Sequence, residues 1–283
     1  MSETISISKV STPNATIHVC TSPDEGEFVN SHVIETHSSL LLIDLPLLKP
    51  YGLELSAYLE SLHKPISRIL ITHSHPDHWF CTSYFDKSLI YAFRETIDEI
   101  HRMKDIYISF HQQIHKDLMP DEIIVPERYM EEKEVYLDNV KIVINKHRFV
   151  EDETLMIVEL PEEGVLLGQD LIYNRTYMYV GTKKEDGSLA IDYWIESLRY
   201  YQAKHYKIIV PGHGEVADYS IFDECISYLL FNIEVIGKAK DGNDFIAQVQ
   251  SKYPNYRTPL MLYNSVFMLY GAQGLNLSSQ VSA

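Results

Sequence analysis

The stretch "ILITHSHPDHWF", residues 69–80, joins a run of aliphatic residues to a cluster of histidines. His73, His75, Asp77 and His78 fall within six positions. The aliphatic run predicts a buried strand, and alternate side chains of an extended segment point to the same side. The first two histidines can therefore reach one ion, while the proline turn can direct the aspartate and the third histidine to a second point nearby. Imidazole and carboxylate suit zinc, and also iron or manganese, so this stretch predicts a metal site.

Composition limits the classes of partner that the chain can have. The chain has 283 residues, of which 45% are hydrophobic, and a formal net charge of −16. Such an acidic surface repels nucleic-acid backbones and anionic membranes, so a small-molecule substrate is the expected partner, without nucleic acid or a membrane. Cys20, Cys81 and Cys225 are widely spaced and give no disulfide pattern. With neither a signal peptide nor a membrane span evident, the expected compartment is the cytoplasm.

Strand-like and helical segments alternate along the chain, which predicts an α/β fold of two sheets with helices outside. We expect a single domain over residues 1–283, with a core at about 15–215 and a helical C-terminal extension over 216–283. Residues 94–116 are expected to form a helix whose apolar stripe consists of Ile100, Met103, Ile106, Tyr107, Phe110 and Ile114.

Three motifs together resemble the metallo-β-lactamase superfamily. "THSHPDH" resembles its His-x-His-x-Asp-His signature. "GVLLGQD" resembles the strand of its metal-bridging aspartate, which would be Asp170, and "VPGHG" resembles the segment of its final ligand, which would be His213. "SHVIETHSSLLLIDLP" is similar to the family's first hairpin, with Asp44 where the family often has an aspartate. The resemblance covers roughly residues 15–215 and implies a four-layer αβ/βα sandwich with additional C-terminal helices.

The resemblance also implies a ligand set for two metal ions, with zinc as the expected metal and iron or manganese as alternatives. The first ion would be held by His73, His75 and either Glu151 or His147, the second by Asp77, His78 and His213, and Asp170 would bridge the two.

The choice between Glu151 and His147 stays open at this point. The family usually has a histidine before the bridging aspartate, and His147 is the only histidine in the preceding segment. Many relatives place it about 19 residues before the aspartate, and in this chain that position is Glu151. Glutamate is a harder ligand than imidazole and would favour iron or manganese somewhat more. The register slightly favours Glu151.

The resemblance implies the chemistry of a metal-dependent hydrolase, similar to the superfamily's lactonases and to glyoxalase-II-like hydrolases. A metal-bound hydroxide would attack a small ester, lactone or thioester. Asp77 would orient the nucleophile or pass a proton to the leaving group. Tyr173 stands where N-acyl-homoserine lactonases of the superfamily carry a tyrosine, and it could donate a hydrogen bond to the developing oxyanion or simply pack at the strand end. Trp79 and Phe80 are expected to pack in the core, although an aromatic wall for substrate is an alternative.

Other functions of the same fold compete with hydrolysis. A phosphodiesterase usually needs a basic exosite or an added nucleic-acid-binding domain, and neither is evident here. A diiron redox protein would need a flavin domain, and a metal-binding scaffold or sensor would need only part of the ligand set. The apolar helices of the C-terminal region could pack internally or against a second subunit, so a homodimer also stays open. His111 and His115 lie one helical turn apart, but no third metal ligand lies near them in the sequence.

Overall fold

A computed structural model describes residues 4–271, and this range contains twelve β-strands and six α-helices. The strands are β1 (Ser6–Ser11), β2 (Thr16–Thr21), β3 (Asn30–Glu35), β4 (Leu40–Ile43), β5 (Ile66–Ile71), β6 (Ile90–Ala92), β7 (Arg128–Tyr129), β8 (Glu134–Leu137), β9 (Val140–Arg148), β10 (Thr154–Leu160), β11 (Val165–Tyr173) and β12 (Ile208–His213). The helices are α1 (Lys49–Ser61), α2 (Arg94–His115), α3 (Ile191–Gln202), α4 (Ile221–Ile236), α5 (Gly242–Lys252) and α6 (Pro259–Tyr270).

Two mixed sheets form the centre of the fold. The first has the order β1-β2-β3-β4-β5-β6-β7, antiparallel up to β4 and parallel from β4 to β7. The second has the order β12-β11-β10-β9-β8 and is antiparallel except for the parallel pair β11–β12. The turns that follow β5, β11 and β12 therefore lie at the carboxyl ends of parallel strands. Open α/β sheets usually carry their ligand-binding sites at these ends.

Three apolar clusters show how the layers pack. Because successive side chains of a strand point to opposite faces, β4 turns Leu41 and Ile43 towards the second sheet and Leu40 and Leu42 towards α1 and α2. The inner cluster, which lies between the two sheets, contains residues of both. Each fully buried aliphatic side chain contributes about 1.5–3 kcal/mol to the stability of the fold. The outer cluster of the second sheet packs on α3 and on the C-terminal helices α4, α5 and α6. This is the four-layer α/β sandwich that the sequence predicts, with the additional C-terminal helices.

Two features of the fold differ from the sequence analysis. Strand β1 was not predicted, because an edge strand exposed along nearly its whole length has no apolar face to reveal it. Helix α2 is present, but Ile106, Phe110 and Ile114 are exposed by 61%, 40% and 46% although a stripe of this kind normally faces a core. The inward side of its second half carries the buried His111 instead.

The remaining general expectations concern cysteines and membrane spans. Cys20, Cys81 and Cys225 are all buried and unpaired, as their spacing predicts. None of the helices within residues 4–271 is both long enough and apolar enough to cross a membrane.

Candidate metal centre

The loop after β5 carries the histidine motif, and a buried aspartate holds it in place. Asp44 follows β4 with a positive φ of 61°, which directs its carboxylate to the neighbouring strand end. Its Oδ1 accepts a hydrogen bond from the Thr72 amide at 2.8 Å, and its Oδ2 accepts one from the Thr72 hydroxyl at 2.7 Å. Residues 76–78 then form one turn of 3₁₀-helix with proline at its start, where the missing amide costs nothing.

The first group of ligand-type atoms comes from His73, His75 and Glu151, which lie within 4.8 Å of one another. His75 Nδ1 lies 3.0 Å from Glu151 Oε1, and His73 Nε2 lies 3.5 Å from Glu151 Oε2. The two histidines come from the first sheet and the glutamate from the turn between β9 and β10 of the second, so this group spans both sheets.

Of the two alternatives for the remaining ligand, the structure brings Glu151 to the cluster and leaves His147 away from it. His147 still belongs to β9 and points to α3, where its Nε2 lies 2.8 Å from the Tyr201 hydroxyl and its Nδ1 lies 3.3 Å from the Ser197 hydroxyl. The strand ends one residue later, and Phe149 adopts a positive φ of 54°, so the chain reverses before Glu151.

The turn that carries Glu151 is tied to the histidine loop by its neighbour. Asp152 Oδ2 accepts hydrogen bonds from the Ser74 amide at 2.9 Å and from the Ser74 hydroxyl at 2.7 Å. Thr182 also donates a hydrogen bond to the Glu151 carbonyl. Glu151 is consequently fully buried, whereas its acidic sequence context suggests an exposed turn.

The second group consists of Asp77, His78 and His213. Asp77 Oδ2 lies 3.3 Å from His78 Nε2 and 3.3 Å from His213 Nε2. His213 is the last residue of β12, so this group also joins the two sheets.

Asp170 lies between the two groups. Its Oδ1 is 3.3 Å from His78 Nε2, and its Oδ2 is 3.1 Å from His213 Nε2 and 3.9 Å from His73 Nε2. Gly212 makes this position available, because a Cβ atom there would lie 2.0 Å from Asp170 Oδ1. Any side chain at position 212 would clash with Asp170, which explains why a glycine precedes His213.

Hydrogen bonds at the outer nitrogens fix three of the histidine rings. His213 Nδ1 must donate to the Glu27 carbonyl at 2.9 Å, since a carbonyl can only accept, and His78 Nδ1 donates to Asp44 Oδ2 at 2.9 Å. The Thr72 hydroxyl gives its proton to Asp44, so His73 Nδ1 donates to the threonine oxygen at 3.0 Å. In each ring Nε2 is therefore the nitrogen that faces the cluster, which is the orientation that second partners impose on metal-binding histidines.

The inward atoms of the cluster fit a metal ion because most of them have no other partner. Buried polar atoms in folded proteins are nearly always hydrogen-bonded. Within residues 4–271 several buried atoms of the cluster make no hydrogen bond, namely Nε2 of His73, Nε2 of His78, Oδ2 of Asp77, both carboxylate oxygens of Glu151 and Oδ1 of Asp170.

The electrostatics of the cluster point in the same direction. Burial by itself lowers the pKa of His78, but Asp170, Asp77 and Asp44 outweigh it and hold that pKa well above 6.5. Burial also raises the pKa of Glu151 to about 7. Gathering several carboxylates away from water is costly unless positive charge accompanies them. A divalent cation supplies that charge and displaces the protons.

Tyr173 and the two aromatic residues after the motif lie near the cluster in different roles. The Tyr173 hydroxyl donates a 2.5 Å hydrogen bond to Asp170 Oδ2, and its ring stacks on that of His213 at 4.8 Å. Burial, and then the charge of Asp170, raise its pKa well above 10, so the hydroxyl keeps its proton. Trp79 and Phe80 are fully buried, and the indole donates to the Ser74 carbonyl at 2.9 Å, which confirms the packing interpretation.

Two tyrosines lie beside the opening of the cluster, and the sequence analysis names only Tyr107, as part of the apolar stripe of α2. His75 is the exposed member, with 19% of its side chain accessible. Tyr107 of α2 and Tyr179 stand edge-on to its ring at 6.4 Å and 5.4 Å. Tyr179 lies in an irregular segment without periodicity, so no pattern could have indicated it.

Comparison with known proteins agrees with the fold and the cluster. The sequence profile of the metallo-beta-lactamase superfamily matches residues 24–213. The metallo-beta-lactamase FIM-1 from Pseudomonas aeruginosa, solved in a mono-zinc form, is 15% identical over 81% of this chain and 96% of that chain, with a TM-score of 0.59. A metallo-beta-lactamase from Pontibacter korlensis is 18% identical over 80% of this chain and 99% of that chain, with a TM-score of 0.56. A search of curated proteins gave no match.

The solved structures and the sequence profile support different conclusions. At such low identity the two solved structures show a shared fold and nothing about substrate. The matched profile covers most of the chain and includes both the histidine motif and His213. Most members of the superfamily are metal-dependent hydrolases, and the His, Asp and Glu groups described above are compatible with a metal site. The chain belongs to the metallo-beta-lactamase superfamily and has its metal-dependent hydrolase fold.

Proposed function

We propose that the protein is a dinuclear metal-dependent hydrolase that cleaves a small ester, lactone or thioester. One observation carries the proposal: two groups of ligand atoms from both sheets meet around Asp170, and most of these atoms are buried without another partner. Zinc is the expected metal because imidazole and carboxylate ligands suit it, and iron or manganese is compatible with the same donors.

The residues that would hold the metals divide as the two groups do. His73, His75 and Glu151 would hold one ion, Asp77, His78 and His213 would hold the other, and Asp170 would bridge them. When bound, the cations lower the pKa of water towards ~7 and polarise a carbonyl oxygen, which supplies the nucleophile and the electrophilic assistance.

The chain's own groups would then orient the reactants and move protons. Burial opposes ionisation of Asp77, but the neighbouring His78 and His213 hold its pKa well below the usual range, so it is a carboxylate that can accept a hydrogen bond from the attacking water. The same carboxylate would pass a proton on to the leaving group. The Tyr173 hydroxyl keeps its proton and can turn from Asp170 towards a developing oxyanion by rotation about its C–O bond.

The surroundings of the opening favour an uncharged carbonyl substrate over a phosphodiester. Burial, and then the charge of Asp152, raise the pKa of Tyr107, so negative charge lies close to the ring beside His75. Arg102 is a cation of the same helix, and it is already paired with Glu99 at 2.7 Å and with Glu153 at 2.9 Å. An anionic phosphate would meet repulsion there, whereas an ester or lactone would not.

Metal analysis and a substrate panel test the proposal together. Protein purified without added metal should contain at least two equivalents of zinc or of another divalent metal per chain, and it should hydrolyse members of an ester, lactone and thioester panel faster than a phosphodiester reporter. His75→Ala should abolish turnover while the circular dichroism spectrum stays unchanged. His101→Ala, on the exposed side of α2, is the matched control and should keep full turnover. Full turnover by folded His75→Ala protein would contradict the assignment.

A further inference from the structure

The second half of α2 turns two histidines towards the protein. His111 is 5% exposed, and His115, one helical turn later, is half-buried with its Nε2 atom enclosed. Their rings stack with centroids 5.6 Å apart. In the same half of the helix Ile106, Phe110 and Ile114 are exposed, whereas Tyr107 and Ile108 pack partly against the core.

A carboxylate from a distant part of the chain meets this histidine pair. Glu27 follows a short 3₁₀ turn and is 5% exposed, and both Glu27 and Phe28 adopt positive φ angles, of 64° and 55°. One ligand atom from each of Glu27, His111 and His115 lies within 4.8 Å of the others. The sequence near the pair contains no third ligand. The fold brings one, Glu27, from 84 positions before His111.

All three side chains present a buried atom without a partner. Among residues 4–271, Glu27 Oε1, His111 Nδ1 and His115 Nε2 make no hydrogen bond, although each is shielded from water. A single buried polar atom left unpaired costs roughly 1–3 kcal/mol. Three such atoms facing one another need a common partner.

We propose that Glu27, His111 and His115 form a further metal site, separate from the centre around Asp170. Two histidines at positions i and i+4 of a helix are a recurrent way to hold zinc, and a carboxylate completes a three-residue ligand set. Ligand atoms at about 2.0–2.2 Å from one ion are somewhat closer together than 4.8 Å, so small side-chain rotations would complete the site. The ion would be a borderline divalent cation such as Zn²⁺, with water in the remaining position.

The protonation state of the histidines suits this role. Burial, followed by the neighbouring His115, lowers the pKa of His111 to about 4, so its ring is neutral at pH 7. Burial also lowers the pKa of His115. Neutral imidazole is the form that donates a lone pair to a metal.

An ion at this site would have a structural effect on the first centre. It would fasten α2 to the loop of Glu27, whose backbone carbonyl accepts the hydrogen bond from His213 Nδ1. The two centres share no ligand, so the further site can be removed without touching the ligands of the first.

Metal counting with variants of His115 tests the proposal. Chelator-treated protein is reloaded with Zn²⁺, desalted and analysed by mass spectrometry. Wild type and His101→Gln, an exposed histidine of the same helix, should bind the same amount, and His115→Gln should bind about one equivalent less. Because His115 is half-buried at the end of α2, this variant is expected to fold, and circular dichroism checks that it does.

A second background separates this proposal from the proposed hydrolase function. In a His73→Ala protein, Zn²⁺ should still raise the melting temperature, in part through the further site, and adding His115→Gln should make that rise smaller. Loss of one equivalent in His115→Gln supports the site whether or not the protein hydrolyses esters. Equal zinc content in His115→Gln and His101→Gln, with equal melting-temperature shifts, would overturn it.

Discussion

Glu151 supplies two carboxylate oxygens close to His73 and His75 in the first group of ligand-type atoms. Both oxygens are buried and lack a hydrogen-bond partner within the described residues. Glu151→Gln keeps the shape of the side chain but removes its charge, so metal affinity should fall by at least about 10–100-fold, the range seen for removing supporting partners of metal ligands. Competition with a chromophoric chelator measures this loss.

His147→Ala is the matched control for that substitution. Its ring bonds to Tyr201 at 2.8 Å, so its loss should cost about 1 kcal/mol of unfolding free energy without changing metal affinity. The reverse result, with metal lost from His147→Ala and kept by Glu151→Gln, would contradict the ligand set.

Tyr173 contributes one hydrogen bond at the centre of the cluster. Tyr173→Phe preserves the ring that stacks on His213 and removes only the hydroxyl bonded to Asp170. A hydrogen bond to a charged group is worth about 1.5–3 kcal/mol, so kcat on the best substrate should fall by roughly 10–100-fold. Steady-state kinetics at saturating metal measures it, and unchanged kcat would exclude Tyr173 from catalysis.

At this scale the sequence predicts the histidines well and the supporting residues poorly. His73, His75, Asp77 and His78 share one short loop, so their convergence follows from local geometry. The choice of Glu151 over His147 depends on where β9 ends and on a turn with positive φ at residue 149, which no periodic pattern encodes. The position of Glu27 beside His111 and His115 depends on contacts between distant segments of the chain, which no local pattern encodes.

The strand pair β11–β12 illustrates how closely elements approach at the site. Gly212→Ala would place a methyl group 2.0 Å from Asp170 Oδ1, so either the carboxylate or β12 must move. Overpacking of this kind typically costs 1–3 kcal/mol, and the displaced Asp170 should also weaken metal binding. Urea denaturation and metal content measure the two effects.

A glycine elsewhere provides the comparison for this prediction. At Gly237 an added Cβ meets nothing closer than 3.6 Å, and its φ of −73° suits any residue. Gly237→Ala should therefore leave both stability and metal content close to wild type. If the two alanine variants behaved alike, the close approach at Gly212 would not matter.

Helix α2 shows where pattern-based reasoning fails at the level of elements. Its length follows from the sequence, and α2 spans Arg94–His115. Its orientation does not follow, because an apolar stripe predicts a core-facing side only when the helix lies on a core. In the second half of α2 His111 is enclosed beside Phe80, whereas Ile106 is exposed.

Across the whole molecule, polar side chains of β3 connect the two sheets and make stability depend on pH. His32 donates from Nε2 to the Pro211 carbonyl at 3.1 Å, and its Nδ1 lies 3.3 Å from the Gln169 amide nitrogen, a pattern that suits only the neutral ring. Burial lowers the pKa of His32 to about 4. Since the unfolded chain has a histidine pKa near 6.5, it binds the proton first as pH falls, and stability decreases between about pH 6.5 and 4.

The pH effect can be isolated by comparing two proteins. The pKa difference corresponds to on the order of 3 kcal/mol lost over that interval. His32→Gln removes the titrating group, so its free energy of unfolding should fall less than that of wild type between pH 6.5 and 4. Because both proteins share the metal centre, the pH dependence of that centre cancels in the difference. Parallel curves would show that His32 does not titrate in this range.

The division of the proposed ligands between the sheets would have a consequence for metal uptake. Four of the proposed ligands follow β5 of the first sheet, whereas Glu151, Asp170 and His213 belong to the second. Neither half alone offers a closed coordination sphere, so high-affinity capture must wait until the halves have docked in register. The rate of cation uptake during refolding would then report the rate of that final assembly. A chain still being synthesised would not bind the metal tightly until its last strand, β12, had formed.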